Sequence, residues 1–155
     1  MRNNFLSLLI FIFVANNLSA ENFNINAKNI SIDKKKEITV FKDNVVIIDE
    51  NNNEIKSEFA SYDKKSDFFI LKKDVSIKDP QGNILQSEEA TYDKKNGLYK
   101  IIGEAKILTA AGYDVKTSDL TLDTFKKILQ SKKKTRIQDL QDNLILLETF
   151  EYLSA

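Results

Sequence analysis

The sequence predicts an all-β protein: one antiparallel sheet of long strands, folded over on itself and built from thirty-residue repeats. Three observations predict it. The chain matches itself at a shift of thirty positions, its apolar residues recur with a period of two, and turn-forming residues return at two fixed places in each copy.

The N-terminal segment stands apart from the repeats. Arg2 supplies a short positive start, Phe5 to Ala15 is apolar apart from Ser7, and Asn-Asn-Leu-Ser-Ala follows, ending at Ala20. This pattern predicts a secretory signal peptide over residues 1–20, cut near Ala20, although Leu18 is large for the −3 position. The apolar run is about half the ~20 residues needed to span a bilayer as a helix. The expected domain is therefore residues 21–155.

The repeats follow without gaps. Tyr62-Asp63-Lys64-Lys65 returns as Tyr92-Asp93-Lys94-Lys95, and the same shift aligns Ser57-Glu58 with Ser87-Glu88 and Ile77 with Ile107. The copies run 25–54, 55–84, 85–114 and 115–144, and Ile145 opens a fifth that stops at Ala155. One column reads Ile47, Ile77, Ile107, Ile137; another reads Val45, Val75, Ala105, Thr135; a third reads Ile25, Ile55, Leu85, Val115, Ile145. Two more are Ile30, Ala60, Ala90, Leu120, Phe150 and Ile32, Tyr62, Tyr92, Leu122, Tyr152. Such columns are strand residues with one buried face.

Asp33-Lys34-Lys35-Lys36 and its copies at 63, 93 and 123 form one set of turns, and Asn51-Asn52-Asn53 with its copies at 81, 111 and 141 forms the other. Turns this short join antiparallel neighbours. Each copy thus holds two strands of roughly a dozen residues, about twice the usual length. The alternation breaks inside each strand: Val45 and Ile47 are odd, whereas Ile38 and Val40 are even; Ile55 is odd, whereas Ala60 and Tyr62 are even. A one-residue slip of this kind predicts β-bulges near Asp43-Asn44 and its copies, and near Ser57 to Phe59. The face of residues 38–41 stays open, since Phe41, Phe69, Leu71, Tyr99 and Ile101 make the other face apolar as well. The bent strands are expected to enclose an apolar trough, with Val45 and Ile47 facing Ile55 and Tyr62 across it. The columns nominate its lining as Val45, Ile47, Ile55, Tyr62, Val75, Ile77, Leu85, Tyr92, Ile107, Val115 and Ile137.

Composition excludes several classes of function. Lys plus Arg is 23 and Asp plus Glu is 23, so the basic excess of a nucleic-acid binder is absent. There is no Cys and no His, which removes the thiolate sites and the commonest general base. Asp49 to Glu54 lacks the spacing of a Ca²⁺ loop, Lys132-Lys133-Lys134 reads as a solvated turn, and no carboxylate interrupts an apolar column. No catalysis, metal or cofactor is expected. A repeat-built extracellular scaffold or adhesin is the alternative class.

The steps Lys42-Asp43-Asn44-Val45-Val46-Ile47 and Ile102-Gly103-Glu104-Ala105-Lys106-Ile107, with the Ala-x-Tyr-Asp-Lys-Lys steps, resemble the OstA-like (organic-solvent-tolerance) domain of lipopolysaccharide-transport proteins. The resemblance covers residues 25–155. Its Gly-Asn step is degraded in every copy, most of all at Lys132-Lys133-Lys134, and the fifth copy is incomplete. The resemblance implies a folded-over β-jellyroll in the periplasm whose trough shelters the acyl chains of lipopolysaccharide on the way to the outer membrane. Ala105 to Tyr152 is most similar in wording to the N-terminal periplasmic domain of the outer-membrane assembly protein, which implies outer-membrane attachment in a longer form. An inner-membrane-anchored relative is the other placement within the family.

The two ends of the meander are unprotected edges. Ile25, Ile30 and Ile32 mark one, and Ile145, Leu147 and Phe150 mark the other; neither segment contains Pro. Head-to-tail strand pairing with another domain of the same type is the expected use of these edges, with the C-terminal one expected to run on into further sequence of its own chain. The resemblance implies a periplasmic bridge protein at the N-terminal one.

Overall fold

A computed structural model describes residues 23–153; the segment read as a signal peptide lies outside the described residues. The strands are β1 (Asn24–Asn26), β2 (Asn29–Asp33), β3 (Ile38–Ile48), β4 (Glu54–Asp63), β5 (Phe68–Lys78), β6 (Ile84–Asp93), β7 (Leu98–Leu108), β8 (Asp114–Ser118), β9 (Thr121–Asp123), β10 (Ile128–Ser131), β11 (Thr135–Gln138), β12 (Leu144–Leu147) and β13 (Phe150–Leu153). They form one 13-stranded sheet, antiparallel at every pairing.

These segments trace nine passes of the chain, because the first pass and the last three are each broken in two at the middle. The sheet is folded along that middle line into two layers. Layer I runs β1, the second half of β3, the first half of β4, and so on through β8 and β11 to β12. Layer II runs β2, the first half of β3, the second half of β4, and on through β9 and β10 to β13. The all-β, folded-over jellyroll read from the sequence is the fold observed.

The crease is made by bulges at the places the sequence marks. Register shifts fall between Lys42 and Val45, Lys56 and Phe59, Lys72 and Val75, and Ser87 and Glu89. At the first, Asp43 and Asn44 oppose Glu58 alone, and both are left-handed, with φ of 64° and 54°. Lys73 and Asp74 repeat this with 65° and 52°, and Gly103 has 78°. Two residues of one strand set against one of its neighbour, one residue in excess, bend the strand sharply and turn both layers' inner faces toward each other.

The structure decides the open face of residues 38–41 and corrects two details of the sequence reading, the parity slip in β3 and the placement of Ile55. In β3 the inward residues before the crease are Thr39 and Phe41, while Ile38 and Val40 face outward and are half-exposed. At the crease β3, β5 and β7 each give two residues and so keep their parity, whereas β4 and β6 give one and slip, from Ser57 to Ala60 and from Ser87 to Ala90. Ile55 also does not face Ile47 across the trough: the two are direct neighbours in layer I.

The turns repeat down to the backbone. Glu37, Asp67, Gly97 and Lys127 are left-handed, with φ from 55° to 61°, and so are Asn52, Gly82, Gly112 and Asp142. The carboxylate of Asp49 accepts from the Asn51 and Asn53 amides at 2.9 and 2.8 Å, and Asp139 does the same for Gln141 and Asn143 at 2.9 Å each. The Asn143 side chain also donates to Asp139 at 2.8 Å, and these bonds hold the Asp139 carboxyl below its ordinary pKa of 3.8.

Successive turns stack on one another, and Gly97 sits in the tightest place. A Cβ there would meet Thr124 Oγ1 at 2.5 Å and the Phe125 ring at 2.7 Å, in a left-handed residue. Gly97→Ala should therefore destabilise the fold, by about 1–2 kcal/mol for the left-handed strain alone. Lys127→Gly, at the equivalent position, should stabilise it by up to about 1 kcal/mol. Urea titrations of both variants check the opposite signs.

Candidate functional site

The interior between the layers is the candidate site, and cross-strand register organises it into four ladders. The first, in layer I, runs Ile25, Ile47, Ile55, Ile77, Leu85, Ile107, Val115, Ile137, Ile145, each directly opposite the next. The second lies beside the crease in the same layer: Val45, Ser57, Val75, Ser87, Ala105, Thr117, Thr135, Leu147. The third is its counterpart in layer II: Ile30, Phe41, Ala60, Leu71, Ala90, Ile101, Leu120, Ser131, Phe150. The fourth runs Ile32, Thr39, Tyr62, Phe69, Tyr92, Tyr99, Leu122, Leu129, Tyr152.

Large and small residues alternate beside the crease, as in Phe41-Ala60-Leu71-Ala90-Ile101. The narrow space there cannot take a bulky side chain from every strand, and alternation fills it without voids. In the wider space of the fourth ladder, rings stack. Tyr62 lies on Phe69 at 4.4 Å between centroids, and Tyr92 on Tyr99 at 4.0 Å and 9°. Burial, with Asp49, Glu50 and Asp67 nearby, pushes the Tyr92 phenol up to about 12, and burial pushes Tyr99 up further. Both hydroxyls stay protonated at any physiological pH, so the interior bears no charge from them.

The hydroxyls on the crease ladders face inward without leaving polar atoms stranded. Ser57 Oγ donates to the Phe59 carbonyl at 3.0 Å, Ser131 Oγ to that of Ser118 at 2.8 Å, and Thr135 Oγ1 to that of Lys133 at 3.1 Å. Thr117 and Thr135 share a buried hydroxyl contact of 2.9 Å. Backbone carbonyls released from the ladder by the bend thus regain partners.

Every residue nominated as trough lining lies on these ladders. Ile47, Ile55, Ile77, Leu85, Ile107, Val115 and Ile137 are on the first, Val45 and Val75 on the second, Tyr62 and Tyr92 on the fourth. All are buried or packed against the buried cluster. The third ladder was not nominated, nor were Phe69 and Tyr99 of the fourth. Their signal was present in the sequence as the columns Phe41-Leu71-Ile101 and Phe69-Tyr99, whose face could not be assigned until the length of the bulge was known. The nominated edge residues all end a ladder: Ile25 and Ile145 the first, Leu147 the second, Ile30 and Phe150 the third, Ile32 the fourth.

The two ends differ from the middle. Phe41, Ala60, Leu71, Ala90 and Ile101 are buried, whereas Ile30 is 55%, Ile32 64%, Ile145 51% and Tyr152 59% exposed. At the N-terminal end the layers part into a cleft of about 440 Å³ lined by Phe23, Ile25, Ile32, Phe41, Tyr62 and Phe69, with Lys34 and Lys64 among its polar residues. Among the described residues, no group of three or more acidic side chains is placed to hold a metal ion.

No family model matches the chain, and no curated protein matches it. Among solved structures it is similar to the crystal structure of LptH from Pseudomonas aeruginosa, titled the LptA-homologous periplasmic component of the conserved lipopolysaccharide transport device. The TM-score is 0.63 at 11% identity, over 81% of this chain and 93% of that one. At that identity the likeness shows a shared fold.

The hydroxyl network at the crease makes a direct prediction. Thr135→Val keeps the shape but leaves the Lys133 carbonyl and the Thr117 hydroxyl short of a partner. Stability should fall by about 1–3 kcal/mol, measured by chemical denaturation, and Thr117→Val in the same background should recover part of the loss.

Proposed function

We propose that the chain is a non-enzymatic carrier that shelters the acyl chains of lipopolysaccharide between its two layers in the periplasm and hands them on toward the outer membrane. The observation that carries this reading is the continuity of the ladders: apolar residues succeed one another from the first pass to the last, and the ladders end uncovered at both edges. The shared fold with a periplasmic component of a lipopolysaccharide transport device supports it, as does the resemblance of the repeat steps to the OstA-like domain.

Each acyl methylene kept from water is worth about 0.8 kcal/mol, so a chain of a dozen carbons crosses an aqueous space only inside an apolar slot. Rungs about 4.8 Å apart offer a succession of similar environments. A lipid can advance along them without falling into one deep minimum. Admission of an acyl chain requires the layers to part. The crease is the natural hinge, because the cross-strand ladder is already interrupted there.

The edges support head-to-tail pairing with other domains of this type. Lys64 N–H donates to the Glu37 carbonyl, which sets Thr39 and Phe41 to bond toward β4. Strand alternation then directs the N–H groups of Ile30 and Ile32 away from β3, to the open edge. A strand from a partner laid there would extend the ladders and join the two interiors. The similarity of residues 105–152 to the N-terminal domain of the outer-membrane assembly protein favours attachment at that membrane through a longer form.

Two experiments test this reading. A photo-crosslinking amino acid at Ile77 or Ile107, both on the first ladder, should capture lipopolysaccharide in cells, and one at the exposed Lys78 should not; capture at Lys78 alone would reverse the assignment of faces. Ile30→Pro removes an edge N–H and should abolish docking of a partner domain while leaving the core intact. A folded variant that still binds its partner at full affinity would show that pairing does not use this edge.

A further inference from the structure

We propose that the N-terminal cleft is an entry port for a single acyl chain of an anionic amphiphile, and that Phe23 occupies part of that port in the empty protein as an internal competitor. The proposal rests on the lipid-carrier reading above and adds where loading starts and what must leave.

Phe23 precedes β1, a strand of three residues paired with β3. Phe23 and Ile25 are two positions apart and lie on the same, inward face. The Phe23 ring spans the opening between the layers. It meets Phe69 of layer II edge-on, with centroids 5.2 Å apart. Lys94 Nζ, on the turn between β6 and β7, sits 4.5 Å above the same ring. The ring therefore occupies apolar space continuous with the first and fourth ladders, where an acyl chain entering from the N-terminal end would first be sheltered.

The rim suits an anionic head. Lys34, Lys64 and Lys94 hold the same place in three stacked turns, on one lip of the opening. Asp33 and Glu37 lie on that rim too, but the Asp33 carboxylate accepts from the Lys35 and Lys36 amides of its own turn. When Phe23 leaves, Lys94 loses the face of a ring and gains freedom to meet a carboxylate or phosphate. Cation and chain are thus released by one movement, which involves only a short segment at the sheet edge.

The test uses doxyl-labelled stearate with the purified protein and two variants. Phe23→Ala should bind the probe about tenfold more tightly, since one edge-to-face pair and one cation–π contact no longer compete with it. Paramagnetic broadening should reach the methyl groups of Ile25 and Ile32 before that of Ile145. Lys94→Gln should weaken binding of the stearate but not of its uncharged methyl ester. Unchanged or weaker binding by Phe23→Ala, or broadening confined to Ile145, overturns the port while leaving the carrier reading intact. Failure of the probe to bind any of the three proteins overturns both.

Discussion

The fold depends on the bulge at the crease. Two residues facing one residue of the neighbouring strand, both left-handed at Asp43-Asn44 and Lys73-Asp74 and led by left-handed Gly103 in β7, convert a long flat meander into two facing layers. Without them each strand would present one continuous apolar face of roughly a dozen residues to water, which a single sheet cannot bury. With them each strand covers itself: its first half packs on the second halves of its neighbours. The same interruption frees backbone carbonyls, and the inward serines and threonines beside the crease are placed to receive them. Small and hydroxylated residues in an otherwise apolar interior are a consequence of the bend.

The repeat explains why the structure is so legible, and its degradation explains where it is not. Identical turn chemistry every thirty residues made the meander and both sets of turns readable, and the parity break at Ser57 to Ala60 located the crease. The face of Phe41, Phe69, Leu71, Tyr99 and Ile101 was not readable, because a strand that gives one residue to the crease and a strand that gives two predict opposite orientations for everything beyond it. Only the backbone decides that, through the paired positive φ values at Asp43-Asn44 and Lys73-Asp74. The Asp49, Asp79 and Asp139 caps were also missed. Their Asp-x-x-x-Asn spacing is visible in the sequence, but it fits any polar turn, and only the backbone geometry brings the Asn side chain onto the carboxylate.

In the fourth copy the bend becomes a break. Asp119 and Leu120, and Lys132 to Lys134, fall between strands, which stop and restart on either side. The second and third ladders become more polar at the same place: Thr135 stands where earlier copies have Val45, Val75 and Ala105, and Ser131 where they have Phe41, Leu71 and Ile101, while Thr117 keeps the hydroxyl of Ser57 and Ser87. Each hydroxyl is satisfied by backbone or by its neighbour, so the change costs little stability. It does make the interior less favourable to an apolar occupant there than in the second and third copies.

That asymmetry bears on how a carrier of this design can work. The first ladder keeps Ile, Leu or Val at every rung, whereas the ladders beside the crease grow polar toward the C-terminal end. An acyl chain held near the mouth of the fold would therefore meet an even path, and one pressed against the crease would meet a rising one. A route along the first and fourth ladders, with the crease filled by protein side chains, reconciles a tightly packed core with a passage for lipid. It also leaves the direction of travel to the ends. A path without a gradient cannot drive its cargo, so net movement must come from loading at one edge and removal at the other, through the strands that pair there.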